Sequence, residues 1–515
     1  MTRCFGRREA LLSLVPPLVT YSSLSLLIFY SMWPYFYYVK GEHLILLGVF
    51  SLWRYGLLAV NYVRALIYAG CRYPRLKRMI QELPEERRYP SRIFFVILDY
   101  REEPWITLET IQSVLSNLVD VPCRATLVVS TGCDEDDRIV TAVYEAHPVR
   151  DKVELVLQRQ RHGKRIAIGH ALRAIARRYE DEPDSITVFM DGDSWLEPFV
   201  LRRCIPFFAR FSRLGALTTN EVAHLHTRSS WYKHWFNLKF GQRHVLFQSH
   251  ALSWKVLTLT GRFSVFRTSI VVEEAFIRRI EADHILHWRH GKFRFLMGDD
   301  KSSWFHLLER GWDMLYLPDV IVHSLESRDG GFLPVSISLM RRWYGNTLRN
   351  NPRALALGPR RTGYFIWYAL LEQRLSMWTP LVGLVGTTLL TLTRSFVYLP
   401  FYLGWVLAVR SLQMTAIALW GHPVSHHTVP LMLYGQWVGA LVKIHAWYHL
   451  SDQCWSKGSC SQEVCAAGLD CRFAKWLPSW CMTIACGMFL FSLAVAQGAL
   501  RLPSPLFLRT LLLGG

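Results

Sequence analysis

The chain has 515 residues, room for roughly two or three domains, with 51% hydrophobic residues, 20 Trp and a formal net charge of +19. Its Lys and Arg are strewn through the middle region and beside apolar runs, so the charge does not mark a nucleic-acid-binding protein. The apolar residues are unevenly spread, which excludes one uniform globule.

Residues 9–33 carry no charge beyond Glu9, a run long enough to span a hydrocarbon core of about 30 Å. A signal peptide is the other reading, but the run is long and lacks a small-residue cleavage site. A second run, 43–70, is interrupted by Arg54 and Arg64. The pattern returns at 377–393, 396–420, 429–450 and 480–500, giving six candidate spans. Basic residues beside spans stay on the cytoplasmic side. Arg3, Arg7 and Arg8 and then Arg72, Arg75, Lys77 and Arg78 therefore put both the N-terminus and the stretch after Arg72 in the cytoplasm. Cys454, Cys460, Cys465 and Cys471 cluster between the last two spans. Their spacing does not match the short CxxC pairs of zinc sites, and a disulfide there requires a periplasmic loop. The predicted division is two N-terminal transmembrane helices in 1–75, a cytosolic domain in 76–350, an interfacial segment in 351–376 and C-terminal transmembrane helices in 377–515.

In the middle region Ile93–Leu98 is a near-continuous apolar run, as a strand buried on both faces requires. Ile106–Leu118 has helical spacing, Ala125–Ser130 reads as a second strand, Arg165–Arg178 as a helix and Ile186–Met190 as a third strand. Strands alternating with helices predict an α/β domain, a mostly parallel sheet with helices on both faces, embedded in a helical membrane protein. Ligands bind beyond the carboxyl ends of such strands. Asp99 follows the first strand, Asp134 the second and Asp191-Gly192-Asp193 the third. One such acid is more often a solvated turn or cap; three at the same end of one sheet point to a site. Gly163-Lys164-Arg165 opens the helix before the third strand, where a cation at a helix start meets phosphate oxygens. A second acidic cluster, Gly298-Asp299-Asp300, and then Arg341-Arg342-Trp343 follow.

These residue types suit transfer of a sugar from a nucleotide diphosphate. A metal held by Asp191 and Asp193 neutralises charge on the leaving diphosphate. A base takes the proton from the acceptor hydroxyl, with Asp300 first and Asp299 second as candidates. Trp343 offers a stacking face for a sugar and Arg342 a partner for phosphate or carboxylate.

In their order along the chain, Asp99, Asp134, Asp191-Gly192-Asp193, Gly298-Asp299-Asp300 and Arg342-Trp343 resemble the signature of processive, inverting family 2 glycosyltransferases. Cellulose, chitin and hyaluronan synthases belong there. Longer strings, Leu217–Glu221, Leu259–Arg267, Gly298–Phe305, Arg342–Asn346, Gln373–Thr379 and Gly439–Ile444, are similar to the catalytic subunits of bacterial alginate (mannuronan) synthases over roughly residues 45–450. The resemblance implies a GT-A-type domain, GDP-mannuronic acid as donor, and Mg²⁺, or else Mn²⁺, as cofactor. It further implies a growing β-1,4 mannuronan chain passing through the enzyme's own channel in the bacterial inner membrane, in contact with membrane lipid. The implied protein partners are a cyclic-di-GMP-binding co-polymerase and periplasmic alginate export and modification proteins.

Carried onto this chain, the resemblance gives Asp99 and Asp134 to the nucleotide, Lys164 and Arg342 to the diphosphate, and Asp191 to both donor and metal. Asp193 goes to the metal, Asp300 to the acceptor hydroxyl and Trp343 to the acceptor sugar. Members of the family carry Gln or Arg three residues before the Arg-Trp pair; here that residue is Leu339, so either Arg341 supplies the polar group or the donor site is built differently. A uronate donor needs a cation for its carboxylate, and Arg262, Arg267 and Lys301 are the candidates. Arg349, Asn350, Asn351 and Arg353 read either as a loop closing over the donor or as a membrane-surface connection. Arg410, Lys443 and His445 lie within or beside spans, where facing lipid is costly, and suit a path for a polyanion. A related synthase using a UDP-sugar and a non-catalytic export subunit are the competing readings.

Overall fold

The computed structural model describes residues 7–100, 102–160, 162–180, 182–295, 297–328, 330–453, 464–465 and 471–500. The chain divides into two compact units, one built mainly from Asn61–Gln373 and the other mainly from Cys4–Val60, Arg374–His449 and the last helix.

The first unit is organised by strands whose side chains are buried on both faces, so they form a sheet covered on each side. Strand β1 is Arg92–Leu98, β2 Arg124–Thr131, β3 Val153–Arg159, β4 Ile186–Asp191 and β5 Ser194–Leu196. Then come β6 Leu214–His226, β7 Phe263–Arg267, β8 His284–His287, β9 Gly291–Arg294 and β10 Asp313–Ser327. The main sheet runs β3-β2-β1-β4-β7-β6-β10-β5. Pairs β1/β2, β2/β3, β1/β4 and β6/β10 are parallel, while β7 is antiparallel to both neighbours and β5 antiparallel to β10. The α/β domain with a mostly parallel sheet is thus present. The strand expected third is the fourth in chain order; β3 precedes it, half-buried at the sheet edge, with no acid cluster after it to draw the eye.

Register places the site. Leu98 pairs with both Ser130 and Asp191, so the residues following β1, β2 and β4 lie level at one end of the sheet. Helices Pro104–Val119 and Lys164–Ala176 bury Ile111, Val114, Leu115, Ile168, Leu172 and Ile175 in the same core as β1, β2 and β4.

The stretch 349–353 is not a loop. It continues helix Phe332–Ala356, with Arg349, Asn350 and Asn351 buried. Arg349 donates to the Leu450 carbonyl at 2.8 Å and Asn351 to the Leu370 carbonyl at 2.6 Å.

In the second unit all six predicted spans are helical: Arg7–Met32, Gly41–Ile67 (its end reaching into the first unit), Thr379–Thr393, Tyr398–Leu419, Thr428–Tyr448 and Cys471–Ala496. Among the described residues four are long and apolar enough to cross a membrane, and Tyr364–Leu375 with Thr379–Thr393, bent by 44°, would make a fifth. Thr428–Tyr448 is of similar length and is not among them. Arg410 is buried and donates to Gln413 and Gln436, and Lys443 donates to Ser376 at 2.8 Å. Cys454 and Cys460, and the side chains of Cys465 and Cys471, lie outside the described residues.

Candidate active site

Asp191 ends β4 and projects at the carboxyl end of the sheet. Lys164, the first residue of its helix, reaches it: Nζ lies 2.6 Å from Asp191 Oδ1 and 3.4 Å from Asp299 Oδ2. Burial alone would lower the Lys164 pKa, but Asp191 and Asp299 hold it above the ordinary lysine range, so the ammonium stays charged. A cleft here is lined by Lys164, Asp191, Gly261, Asp299, Asp300 and Ser303. Gly261 has no spare room, since a Cβ there would sit 3.0 Å from Asp191 Oδ2 and 3.1 Å from Lys164 Nζ.

Asp99 is buried and its N–H donates to the Ser130 carbonyl at 2.9 Å. Gly192 packs against it so closely that a Cβ would meet the Leu98 carbonyl oxygen at 2.7 Å and Asp99 Cα at 2.8 Å. Asp193 follows, its carboxyl pushed up to about 7 by burial and then by the charge of Asp191. Asp299 and Asp300 begin helix Asp299–Arg310. Burial and then the neighbouring Asp299 push Asp300 up to about 6. Four carboxylates and one ammonium thus converge where negative charge is poorly hydrated.

Among the described residues no group of three or more His, Cys, Asp or Glu is spaced to hold a metal ion by itself. The donor set nevertheless fits a hard divalent cation that takes one or two carboxylates from the protein and the rest of its ligands from phosphate and water. A cation at Asp191 and Asp193 would relieve the repulsion that raises Asp193.

The remaining expected residues separate. Arg262 is at the site: it bridges Glu221 at 3.2 Å and Glu326 at 3.3 Å, and Asp193 and Asp191 both act on its charge. Arg243 shares Glu221 at 2.7 Å and Arg328 shares Glu326 at 2.8 Å. Arg267 is not brought there. It pairs with Ile186 at the far end of β4, and its guanidinium donates to the carbonyls of Leu214, Phe208 and Phe211 at 2.8–2.9 Å. Lys301 adjoins Asp300 but turns inward to the Leu257 carbonyl at 2.5 Å and the Thr258 hydroxyl; burial drops its pKa to about 8. Asp134 is exposed at the start of its helix and paired with Arg159. Arg342 lies in the field of Glu326, Arg328 and Arg262. Trp343 lies flat on Trp235, centroids 5.5 Å apart and planes 5° apart, so a sugar can stack only on its other face. Leu339 is buried and Arg341 exposed.

Sequence reading passed over Glu221 and Glu326. The signal was a carboxylate in the middle of a strand-like apolar alternation, where burial demands a partner. It also passed over the chain that ties the parts together. Buried Arg165 donates to the Ile280 carbonyl at 2.7 Å and to the Met297 carbonyl and Ser302 hydroxyl at 3.1 Å. The Ser302 hydroxyl donates to Asp283 at 2.6 Å, and Arg353 grips Asp283 with two bonds of 2.8 and 2.6 Å.

Residues 90–346 match the glycosyltransferase-like family 2. The chain is 36% identical over 440 residues to "Glycosyltransferase alg8" of Pseudomonas syringae pv. tomato, covering 84% of this chain and 87% of that protein. It is 34% identical over 444 residues to the protein of the same name from Azotobacter vinelandii, covering 86% and 89%. Among solved structures it is similar to a Pyrobaculum calidifontis mannosyltransferase in complex with GDP-Man and Mn²⁺, with 18% identity, a TM-score of 0.41, and 75% of this chain and 97% of that one covered. That last likeness is too distant to bear on chemistry. The α/β unit is a GT-A-type domain, and several helices of the chain are long and apolar enough to cross a membrane. The chain belongs to the family 2 glycosyltransferases, among the alg8-type catalytic subunits of alginate synthesis.

Proposed function

We propose that the enzyme polymerises mannuronic acid from GDP-mannuronate into β-1,4 mannuronan, processively, and passes the chain across the bacterial inner membrane with its α/β domain in the cytosol. The observation that carries this reading is the convergence of Lys164, Asp191, Asp299 and Asp300 at the carboxyl end of the sheet, with Asp193 and Arg262 beside them. Asp99, directly after β1, and Asp134, at the start of the helix after β2, bind the nucleotide. Lys164 and Arg342 meet the diphosphate. Mg²⁺ held by Asp191 and Asp193 would supply charge neutralisation at that leaving group.

Asp300 accepts the proton of the acceptor 4-hydroxyl as its oxygen attacks C1. The C1–O bond to the diphosphate breaks, GDP leaves, and configuration at C1 inverts. A carboxylate held near pH 6 is a stronger base than an exposed one yet is ionised at neutral pH. Trp343 carries the acceptor sugar on the face turned away from Trp235. Of Arg262, Arg267 and Lys301, Arg262 alone stands beside the acids without being spent on backbone carbonyls. Arg243, Arg262, Arg328 and Arg342 gather around Glu221 and Glu326 beside Asp193, a cluster of guanidinium groups against which a sugar carboxylate would lie. Arg410 and Lys443 would meet the polyanion in the helical unit. A cyclic-di-GMP-binding co-polymerase and periplasmic export and modification proteins complete the assembly.

The test is polymer synthesis in membranes holding this chain and its co-polymerase, given GDP-mannuronate, Mg²⁺ and cyclic-di-GMP, beside a panel of UDP-sugars. Product from GDP-mannuronate that a mannuronan lyase degrades supports donor and linkage together. Product only from a UDP-sugar overturns the donor and the role of Arg262.

A further inference from the structure

Helix Pro104–Val119 buries an apolar face, yet Thr110, Ser113 and Asn117, spaced i, i+3 and i+7, share one side of it. Thr110 and Asn117 are buried. Polar groups in such a place need partners, and all three find them on the segment that carries Asp193. The Thr110 hydroxyl lies 3.0 Å from the Gly192 carbonyl oxygen and 2.8 Å from that of Ser194. Ser113 accepts from the Leu196 N–H at 3.1 Å, and Asn117 donates to the Glu197 carbonyl at 3.0 Å. The carbonyl between the first two, that of Asp193 itself, accepts from the Leu325 N–H at 2.9 Å. Three successive carbonyls are therefore held, the outer two by one hydroxyl whose single proton is shared between them.

We infer that Thr110 is a positioning residue for Asp193, holding the carbonyl of the residue before it and that of the residue after it. It touches neither substrate nor acceptor; it acts through the backbone on either side of Asp193. Asp193 lies in the turn between β4 and β5, where no strand pairing of its own fixes it. The inference rests on the reading of Asp193 as a metal carboxylate.

The experiment uses the purified full chain in detergent, with Mn²⁺ as the probe, GDP or UDP present, and bound Mn²⁺ counted by electron paramagnetic resonance. Thr110→Val keeps the shape and removes the hydroxyl, and is expected to weaken Mn²⁺ binding about three- to tenfold. Thr110→Ser restores it, and Ser113→Ala, which loosens the same strand further from Asp193, stays within about twofold of the parent. If Thr110→Val does not fold, Thr110→Ala takes its place with the same threshold. Unchanged Mn²⁺ binding in the Thr110 variant, or an equal loss in Ser113→Ala, overturns the inference. Asp193→Asn separates the two readings. If it binds Mn²⁺ like the parent, the metal role of Asp193 fails and Thr110 with it. If it loses Mn²⁺ while Thr110→Val keeps it, only the Thr110 inference falls.

Discussion

The two ends of the central sheet carry the same kinds of residue and do different things with them. At the amino end Arg92 and Arg178 pair with Glu154, Asp184 accepts from the N–H and hydroxyl of Ser91, and Arg267 is consumed by three carbonyls. At the carboxyl end Asp193 and Asp300 are pushed well above the usual carboxylate range, and Arg262 is shared among four acids. A charge that is fully answered by its neighbours holds a fold together. A buried carboxyl that its neighbours do not fully answer, such as Asp193 or Asp300, is held at a cost that a bound cation or proton would relieve. Arg262 and Arg267 show the difference most directly: they flank one short strand, and its direction sends one to each end.

The largest effect should come from the carboxyl end. Asp300→Asn is expected to lower the rate of sugar transfer about 10²- to 10⁴-fold, the usual worth of a general base, while a cooperative melting transition is retained. Normal turnover by this variant would place the base elsewhere. Arg262→Ala should raise the KM for the donor by about ten- to a hundredfold, the scale of a lost charged hydrogen bond, and leave kcat less affected. A KM that rises equally for a neutral sugar nucleotide would show the loss to be general rather than aimed at a carboxylate.

The pH dependence sharpens the contrast further. Asp300 titrates near 6 in the fold against about 3.9 in an unfolded chain. Activity should fall about tenfold for each pH unit below 6, because a protonated Asp300 cannot take a proton. Stability should move the other way. A carboxyl raised by folding stabilises when protonated, so its contribution is present below about pH 4 and lost as pH rises through 6. Melting curves and initial rates across pH 4–7 would read both, and Asp300→Asn should remove this contribution from the melting profile. The smallest effect on catalysis is expected at the amino end. Arg267→Ala strands three carbonyls and should destabilise the fold by about 1–3 kcal/mol while leaving kcat/KM of the folded enzyme unchanged. A change in donor KM there would erase the distinction between the two ends.

Much of this was legible in the sequence where one local rule decides the outcome. The apolar runs 93–98, 125–130 and 186–190 need burial on both faces, and they are strands β1, β2 and β4. The acids that follow them share an end because parallel strands must. Strand β3 escaped because an edge strand is only half-buried and its alternation is weak. The polar run 349–353 reads as a loop, but its side chains are consumed by carbonyls that are distant in sequence. The same limit hides Thr110 and Glu221. What a buried polar residue bonds to depends on chain segments far away, and no spacing rule reports it. Arg262 and Arg267 could not be ranked for a related reason, since strand direction within the sheet is a property of topology.

The chain from Arg165 through Ser302 and Asp283 to Arg353 bears on how such enzymes diverge. It joins the helix that begins with Lys164, the turn before Asp299 and the helix that carries Arg342 and Trp343. Exchanging Asp283 or Arg353 alone would strand the charge of its partner, and exchanging Arg165 would strand two carbonyls. A segment transplanted from a relative with another sugar preference would have to bring residues 165, 283, 302 and 353 as a set. Arg262, bonded instead to Glu221 and Glu326, stands outside that set.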